Sequence, residues 1–321
     1  MRRADRCFAG TRTATGGRGP ALHRSARTRR EVLCFTHTIA DRFGDYQPHE
    51  CVAASQRGMT PTSGPLHIET SGTGPPLVML HGWAMHGGLF ASLVPALARR
   101  YQVAVVDLPG HGFSATVEPY TIDAVVDALA QRFGRETQPL TVLGWSLGGM
   151  IAMRWARSHP ARVSRLILVS TTPRFVAAAD WPHAMAAATL ARFGDELRAA
   201  YRPALLRFLA LQVQGGDAGR AALAELRRAM FARGEPMEAA MAAALSLLAS
   251  TDLRTEVGAI ETPALIVSGD RDTLTPSGAS RWLADALPDA RHIEINGAAH
   301  APFLSHRAAF DAALLTLTDA R

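Results

Sequence analysis

Short apolar runs recur along the chain, each bounded by Gly, Pro or charged residues. Leu77-Val78-Met79-Leu80 follows a turn cluster from Gly72 to Pro76 and reads as a buried strand. Val103 to Val106, Leu140 to Gly144, Arg165 to Ser170, Ala264 to Ser268 and His292 to Ile295 repeat the pattern. Between these runs the period changes. Residues 89–100 carry apolar positions at helical spacing. In residues 121–133, Ile122, Val125, Val126, Leu129 and Phe133 share one face of a helix. Further helices are predicted from the end of the 140–144 strand to about Ser158, near 278–287, and over roughly 307–318. Strands alternating with helices imply a parallel sheet covered on both faces.

The alternation stops between Pro173 and Ser250. That segment is rich in Ala, Leu and Arg, with helical periodicity and no convincing strand. It falls between two sheet strands, so it reads as a helical insertion. Ligands of open parallel sheets bind at the carboxyl ends of the strands. An insertion leaving from such an end sits over it as a cap. The predicted organisation is a core of residues 59–172 and 251–321 with a cap of residues 173–250.

Candidate chemistry begins where the strand 140–144 meets its helix. The turn reads Gly144-Trp145-Ser146-Leu147-Gly148-Gly149, a Gly-x-Ser-x-Gly pattern. A serine on such a bend is pushed out of the sheet, beside a helix N-terminus that favours developing negative charge. Serine is a weak nucleophile and needs a base. His300, in a loop of small residues after the last strand, suits that role. The base needs an orienting acid. Asp270 and Asp272 both follow the strand 264–268; Asp272 is preferred, and Asp270 reads better as a turn former. Asp107, His81 and His111 read as loop formers. The order Ser, Asp, His is that of α/β-hydrolases, so a mostly parallel α/β-hydrolase fold with a helical cap is expected. Leu147, just after the nucleophile, and Trp83, just after the strand 77–80, are the expected oxyanion N–H donors.

With these residues in place, residues 66–318 resemble the pimeloyl-acyl-carrier-protein methyl ester esterases of biotin synthesis. The motifs that carry the resemblance are Leu80-His81-Gly82-Trp83, Gly144 to Gly149, Trp181-Pro182, Arg207-Phe208-Leu209-Ala210-Leu211-Gln212, Thr251-Asp252-Leu253-Arg254 and Ala298-Ala299-His300-Ala301-Pro302-Phe303-Leu304-Ser305-His306. The resemblance implies that Phe208, Leu209, Ala210, Leu211 and Gln212 line an acyl pocket. It implies that Trp83, Ser146, Leu147 and His300 touch the substrate. Arg207 and Arg220 match cap arginines that meet the phosphopantetheine and acidic carrier protein. Pro203 and Ala224 stand where other cap arginines of the family occur. The implied reaction is hydrolysis of a carrier-linked methyl ester through an acyl-enzyme, with no metal or organic cofactor. A broad short-chain carboxylesterase and a non-catalytic scaffold of the same fold are the alternatives.

Charge narrows the partners further. The chain has 321 residues, a net charge of +6 and no lysine. Residues 1–58 hold 11 Arg against 5 acidic residues, so the whole excess lies there. The balanced remainder gives no reason to expect nucleic acid. Cys7, Cys34 and Cys51, the only cysteines, lie in the same segment, so the main body has no cysteine-based metal or disulfide chemistry. The longest apolar run there, Val32 to Phe35, is too short for a secretory or membrane segment. An organellar transit peptide and a solvated tail are two readings of residues 1–58. The abrupt change of composition at Met59 favours a third, that translation begins at that methionine. A cytoplasmic, monomeric enzyme is expected.

Overall fold

The computed structural model describes residues 66–213, 216–234 and 236–316. The expectations for residues 1–58, the cysteines and Met59 fall outside the described residues. The centre of the fold is a seven-stranded sheet: β1 (Ile68–Ser71), β2 (Pro76–Leu80), β3 (Gln102–Val106), β4 (Leu140–Trp145), β5 (Val163–Val169), β6 (Ala264–Gly269) and β7 (Ala290–Ile295). Their spatial order is β1-β3-β2-β4-β5-β6-β7, parallel except for β1, which pairs antiparallel with β3 at the edge. β2 is buried at all five positions, as a strand covered on both faces must be. Helices α1 (Ile122–Phe133), α2 (Leu147–Ser158), α7 (Ser277–Ala286) and α8 (Arg307–Leu315) belong to the core.

Two departures from the sequence reading have local causes. β1 carries no apolar run, because three of its four residues are exposed. The helix expected over 89–100 is instead a 3₁₀ turn (Gly87–Ser92) and a separate α turn (Val94–Leu97). Pro95 starts the second turn, and with no N–H it cannot carry a continuous helix across both.

Helices α3 (Ala187–Ala199), α4 (Tyr201–Leu211), α5 (Gly216–Met230) and α6 (Glu238–Ser250) all lie between β5 and β6. The chain leaves and rejoins the sheet at one neck. There the Leu253 N–H donates to the Pro173 carbonyl at 2.9 Å, and Arg174 pairs with Asp252 at 2.7 Å. Arg254 bonds Asp252 and Asp180 and lies over the Trp181 ring. The Trp181-Pro182 and Thr251-to-Arg254 motifs are therefore parts of this neck. Among the described residues, no helix is long and apolar enough to cross a membrane.

The β4–α2 junction is a point of close backbone contact. Ser146 has φ 56° and ψ −117°, a conformation that costs a non-glycine residue about 1–3 kcal/mol. It persists because the flanking backbones touch. A Cβ on Gly144 would come within 2.3 Å of the Gly148 carbonyl oxygen. A Cβ on Gly148 would come within 2.3 Å of the Leu80 carbonyl oxygen on β2. Both obstacles are main chain and cannot rotate away. Gly148→Ala is expected to lower the melting temperature by roughly 5–10 °C through forced separation of α2 from β2. Thermal unfolding followed by circular dichroism checks this, and an unchanged midpoint would show that the junction has slack.

Candidate active site

Ser146 sits at the N-cap position of α2, half-buried, where a serine side chain ordinarily accepts a bond from the first turn. Here the side chain makes no capping bond. The main chain is fully engaged instead. The Ser146 N–H donates to the Val169 carbonyl at 3.0 Å, and its carbonyl accepts from the Thr171 hydroxyl at 2.7 Å. The backbone holds the residue, and the hydroxyl is left for chemistry.

His300 and Asp272 come from the loops after β7 and β6. His300 Nδ1–H donates to Asp272 Oδ2 at 2.7 Å, with both side chains almost wholly removed from solvent. This bond fixes the tautomer and leaves the lone pair on Nε2. The Trp145 indole N–H donates to the His300 carbonyl at 2.8 Å, tying the histidine loop to the residue before the nucleophile. Asp272 Oδ1 accepts from the N–H groups of Leu274 and Thr275 at 2.9 and 3.0 Å. The Thr275 hydroxyl donates to Oδ2 at 2.8 Å. Asp270 is exposed and accepts from the Gly297 N–H at 2.6 Å, bracing one loop against the next. The geometry thus favours Asp272 over Asp270 as the partner of His300.

The remaining loop residues are structural. His81 accepts from the Leu108 N–H at 2.9 Å on Nε2, and its Nδ1–H donates to the Gly82 carbonyl at 2.8 Å. Burial, with the neighbouring His111, pushes its pKa down to about 3. Burial likewise lowers His111 to about 4. Both rings are neutral in any ordinary assay. They titrate near 6.5 when unfolded, so their contribution to stability is complete above that pH and declines as pH falls toward 3–4. Asp107 is buried and accepts from Gly87 N–H, Phe113 N–H and Arg233 at 2.7, 2.9 and 2.7 Å. Burial alone would raise its pKa; the Phe113 N–H, the other donors and His81 outweigh that and hold it low.

Leu147 opens α2, so its N–H has no carbonyl one turn earlier to bond. Trp83 follows β2, and its indole N–H donates to the Met241 carbonyl of α6 at 2.9 Å. The expected oxyanion loop is thereby pinned to the cap. Ser146 and His300 open into a cavity walled almost entirely by apolar groups. Helix α3 supplies Thr189, Leu190 and Phe193; α4 supplies Phe208 and Leu211; α6 supplies Leu245 and Leu248. Phe193 stacks on Phe208 at 5.4 Å, and both meet the Trp83 ring edge-on.

Comparison with known proteins fits this geometry. The family described as alpha/beta hydrolase fold matches residues 75–307. The chain belongs to the α/β hydrolases. It is 48% identical over 249 residues to a pimeloyl-[acyl-carrier protein] methyl ester esterase of Chromobacterium violaceum, covering 78% of this chain and 96% of the relative. It is 43% identical over 241 residues to the protein of the same name from Nitrosomonas europaea, covering 75% and 94%. An esterase structure from Exiguobacterium antarcticum superposes with a TM-score of 0.73 at 21% identity, over 79% of this chain and 96% of that one, a likeness of fold.

One expectation for this hydrolase needs correction. Of the five residues from Phe208 to Gln212, only Phe208 and Leu211 line the cavity described here. Leu209 is fully buried against the core, and Ala210 points to solvent. Gln212 is buried beyond the helix, and its carbonyl accepts from the Ala301 N–H at 3.1 Å. A helix turns about 100° per residue, so positions three apart share a wall and the residues between do not. The Leu147 side chain is wholly buried in the core, so it is the main chain of this residue that faces the nucleophile turn. The cavity residues that sequence reasoning missed include Thr189 and Leu190, which lie four and three residues before Phe193 on one helix face, but any core-facing helix carries the same spacing. Arg207 is exposed on α4 and pairs with Glu196 at 2.9 Å; Arg220 is exposed on α5.

Asp272→Asn is expected to lower ester turnover by about 10³–10⁴-fold, because an amide facing Nδ1 favours the wrong imidazole tautomer. Asp270→Asn should stay near wild type, since an amide oxygen can still accept from Gly297. Initial rates on p-nitrophenyl acetate decide. Equal, mild losses in both would move the acid elsewhere.

Proposed function

We propose that this α/β hydrolase is a pimeloyl-[acyl-carrier protein] methyl ester esterase, releasing methanol and the carrier-linked free acid in biotin synthesis. One observation carries the reading: a strained serine at a helix start shares an apolar, cap-covered cavity with a histidine bonded to a buried carboxylate. The likeness to the named relatives supports the choice of ester. In this mechanism His300 Nε2 takes the Ser146 proton as the hydroxyl oxygen attacks the ester carbonyl. Asp272 steadies the imidazolium. The N–H groups of Trp83 and Leu147 receive the oxyanion. His300 then protonates the departing methoxide, and methanol leaves. Water, activated by His300, cleaves the acyl-enzyme and regenerates Ser146. The apolar walls suit an extended methylene chain. Ser146→Ala should lower turnover by several orders of magnitude while leaving the circular dichroism spectrum unchanged. Near-wild-type turnover in that variant would sink the triad.

The carrier-linked end of the substrate must emerge where the cavity meets solvent. Leu211 is both a cavity residue and 47% exposed, which is the signature of a mouth. Arg207 lies one turn before it on α4. An arginine fork suits a phosphodiester and an acidic carrier protein. The reading includes docking through Arg207 and Arg220, and a monomer acting in the cytoplasm. Exposed ion pairs are weak, about 0–1 kcal/mol each, so the two should be tested together. Reversing Arg207 and Arg220 to Glu is expected to raise KM for the carrier-linked ester severalfold, with kcat on p-nitrophenyl acetate nearly unchanged. The wild-type preference should also weaken with salt, since screening acts over about 10 Å at 0.1 M. Absence of any loss would favour a short-chain carboxylesterase without a carrier partner.

A further inference from the structure

We propose that Thr275 is a positioning residue of the catalytic acid, its hydroxyl setting the pH at which His300 becomes available as a base. The inference rests on the assignment of Ser146, Asp272 and His300 above. Thr275 lies in Asp272-Thr273-Leu274-Thr275-Pro276, between β6 and α7, and is 1% exposed. A hydroxyl at such a site needs partners. It does not cap α7, whose N-cap is Pro276 without a side-chain bond. It reaches back to the acid. Thr275 Oγ1 donates to Asp272 Oδ2 at 2.8 Å and lies 3.3 Å from His300 Nδ1. Thr275 N–H bonds the other oxygen of the same carboxylate. A single residue thus touches both oxygens of the acid and the ring it orients.

The chemistry follows from the sharing of Oδ2. That oxygen takes the Nδ1–H of His300 and the hydroxyl of Thr275 together. A second donor draws charge away from the imidazole and weakens the hold of the carboxylate on an imidazolium. Deleting that donor should strengthen the hold, which the pH profile reads. The hydroxyl oxygen also lies within reach of Nδ1, on the same side of the ring as Oδ2. Nothing else charged competes. Asp272 is the one ion-pair partner of His300 among the described residues. The β4–α2 junction presents Trp145 and Ser146 to the ring, and the cap presents apolar side chains from α3, α4 and α6. Asp270 and Arg271 share the loop with Asp272 but are exposed, with Asp270 bonded to Gly297. Among the four donors on the carboxylate, three are held by main chain or by the base itself. The Thr275 hydroxyl is the one that a substitution can delete without touching either.

The test is the pH dependence of kcat/KM on p-nitrophenyl acetate for wild type, Thr275→Val, Thr275→Ala and Thr275→Ser. Thr275→Val keeps the shape and removes the donor; Thr275→Ala guards against a packing failure in the first. Both should move the acidic limb upward by roughly half to one pH unit, a loss of about three- to tenfold on that limb. Thr275→Ser should return the limb to its wild-type position. Unchanged apparent pKa values in the valine and alanine variants would overturn the proposal, even if the plateau fell. A downward shift, or a serine variant that behaves like alanine, would overturn it as well. Ser146→Ala in the same series keeps the two readings apart: if it retained turnover, the triad would fail, whereas its loss beside unshifted Thr275 variants would remove Thr275 alone.

Discussion

Close approach of three backbones at the β4–α2 junction is the constraint on which the rest depends. Gly144 lets β4 run into α2 without meeting the Gly148 carbonyl, and Gly148 lets α2 lie on the Leu80 carbonyl of β2. Ser146 is held between them in a strained conformation that packing on both sides enforces. The strain is stored where it is used. It turns the hydroxyl away from the helix it would ordinarily cap and toward the carboxyl ends of the strands. β2 delivers Trp83 to the same edge, and the loops after β6 and β7 deliver Asp272 and His300. A parallel sheet collects all of them because every parallel strand ends on one side.

The polar groups of the site are costly to bury and are matched accordingly. Asp272 carries its charge out of solvent against two backbone N–H groups, a hydroxyl and the imidazole. A carboxylate buried there without those partners would be costly. Asp107 follows the same rule with Gly87, Phe113 and Arg233. Arg233 comes from the inserted segment and also bonds Glu69 on β1. With the Trp83 indole bond to Met241 and the Arg174–Asp252 pair at the neck, it fastens the cap to the core at separate points. Of these fastenings the Arg233–Asp107 pair is the buried one, where loss of either partner would leave an uncompensated charge.

Some features of this chain are set by short stretches, and those are legible in the sequence. Buried parallel strands announce themselves as apolar runs, so β2 to β6 were expected near their observed positions. The elbow was legible because the clash that excludes a Cβ is between residues four apart, Gly144 and Gly148. The order Ser146, Asp272, His300 follows from strand ends in a regular alternation. Other features depend on what lies opposite in space. β1 has no apolar run and exists through its pairing with β3. The wall made by Phe208 and Leu211, without Leu209, Ala210 or Gln212, is chosen by how α4 is rotated against Phe193 and Trp83. The place of Thr275 beside the acid depends on a hydroxyl bond to Asp272 Oδ2 that no local pattern encodes. Sequence alone determined the strand order along the chain and the chemistry at strand ends, because both are encoded by local period and local sterics. Tertiary structure decided which cap residues line the cavity and which donors hold the acid, because helix rotation and side-chain partners are settled by surfaces distant in the chain.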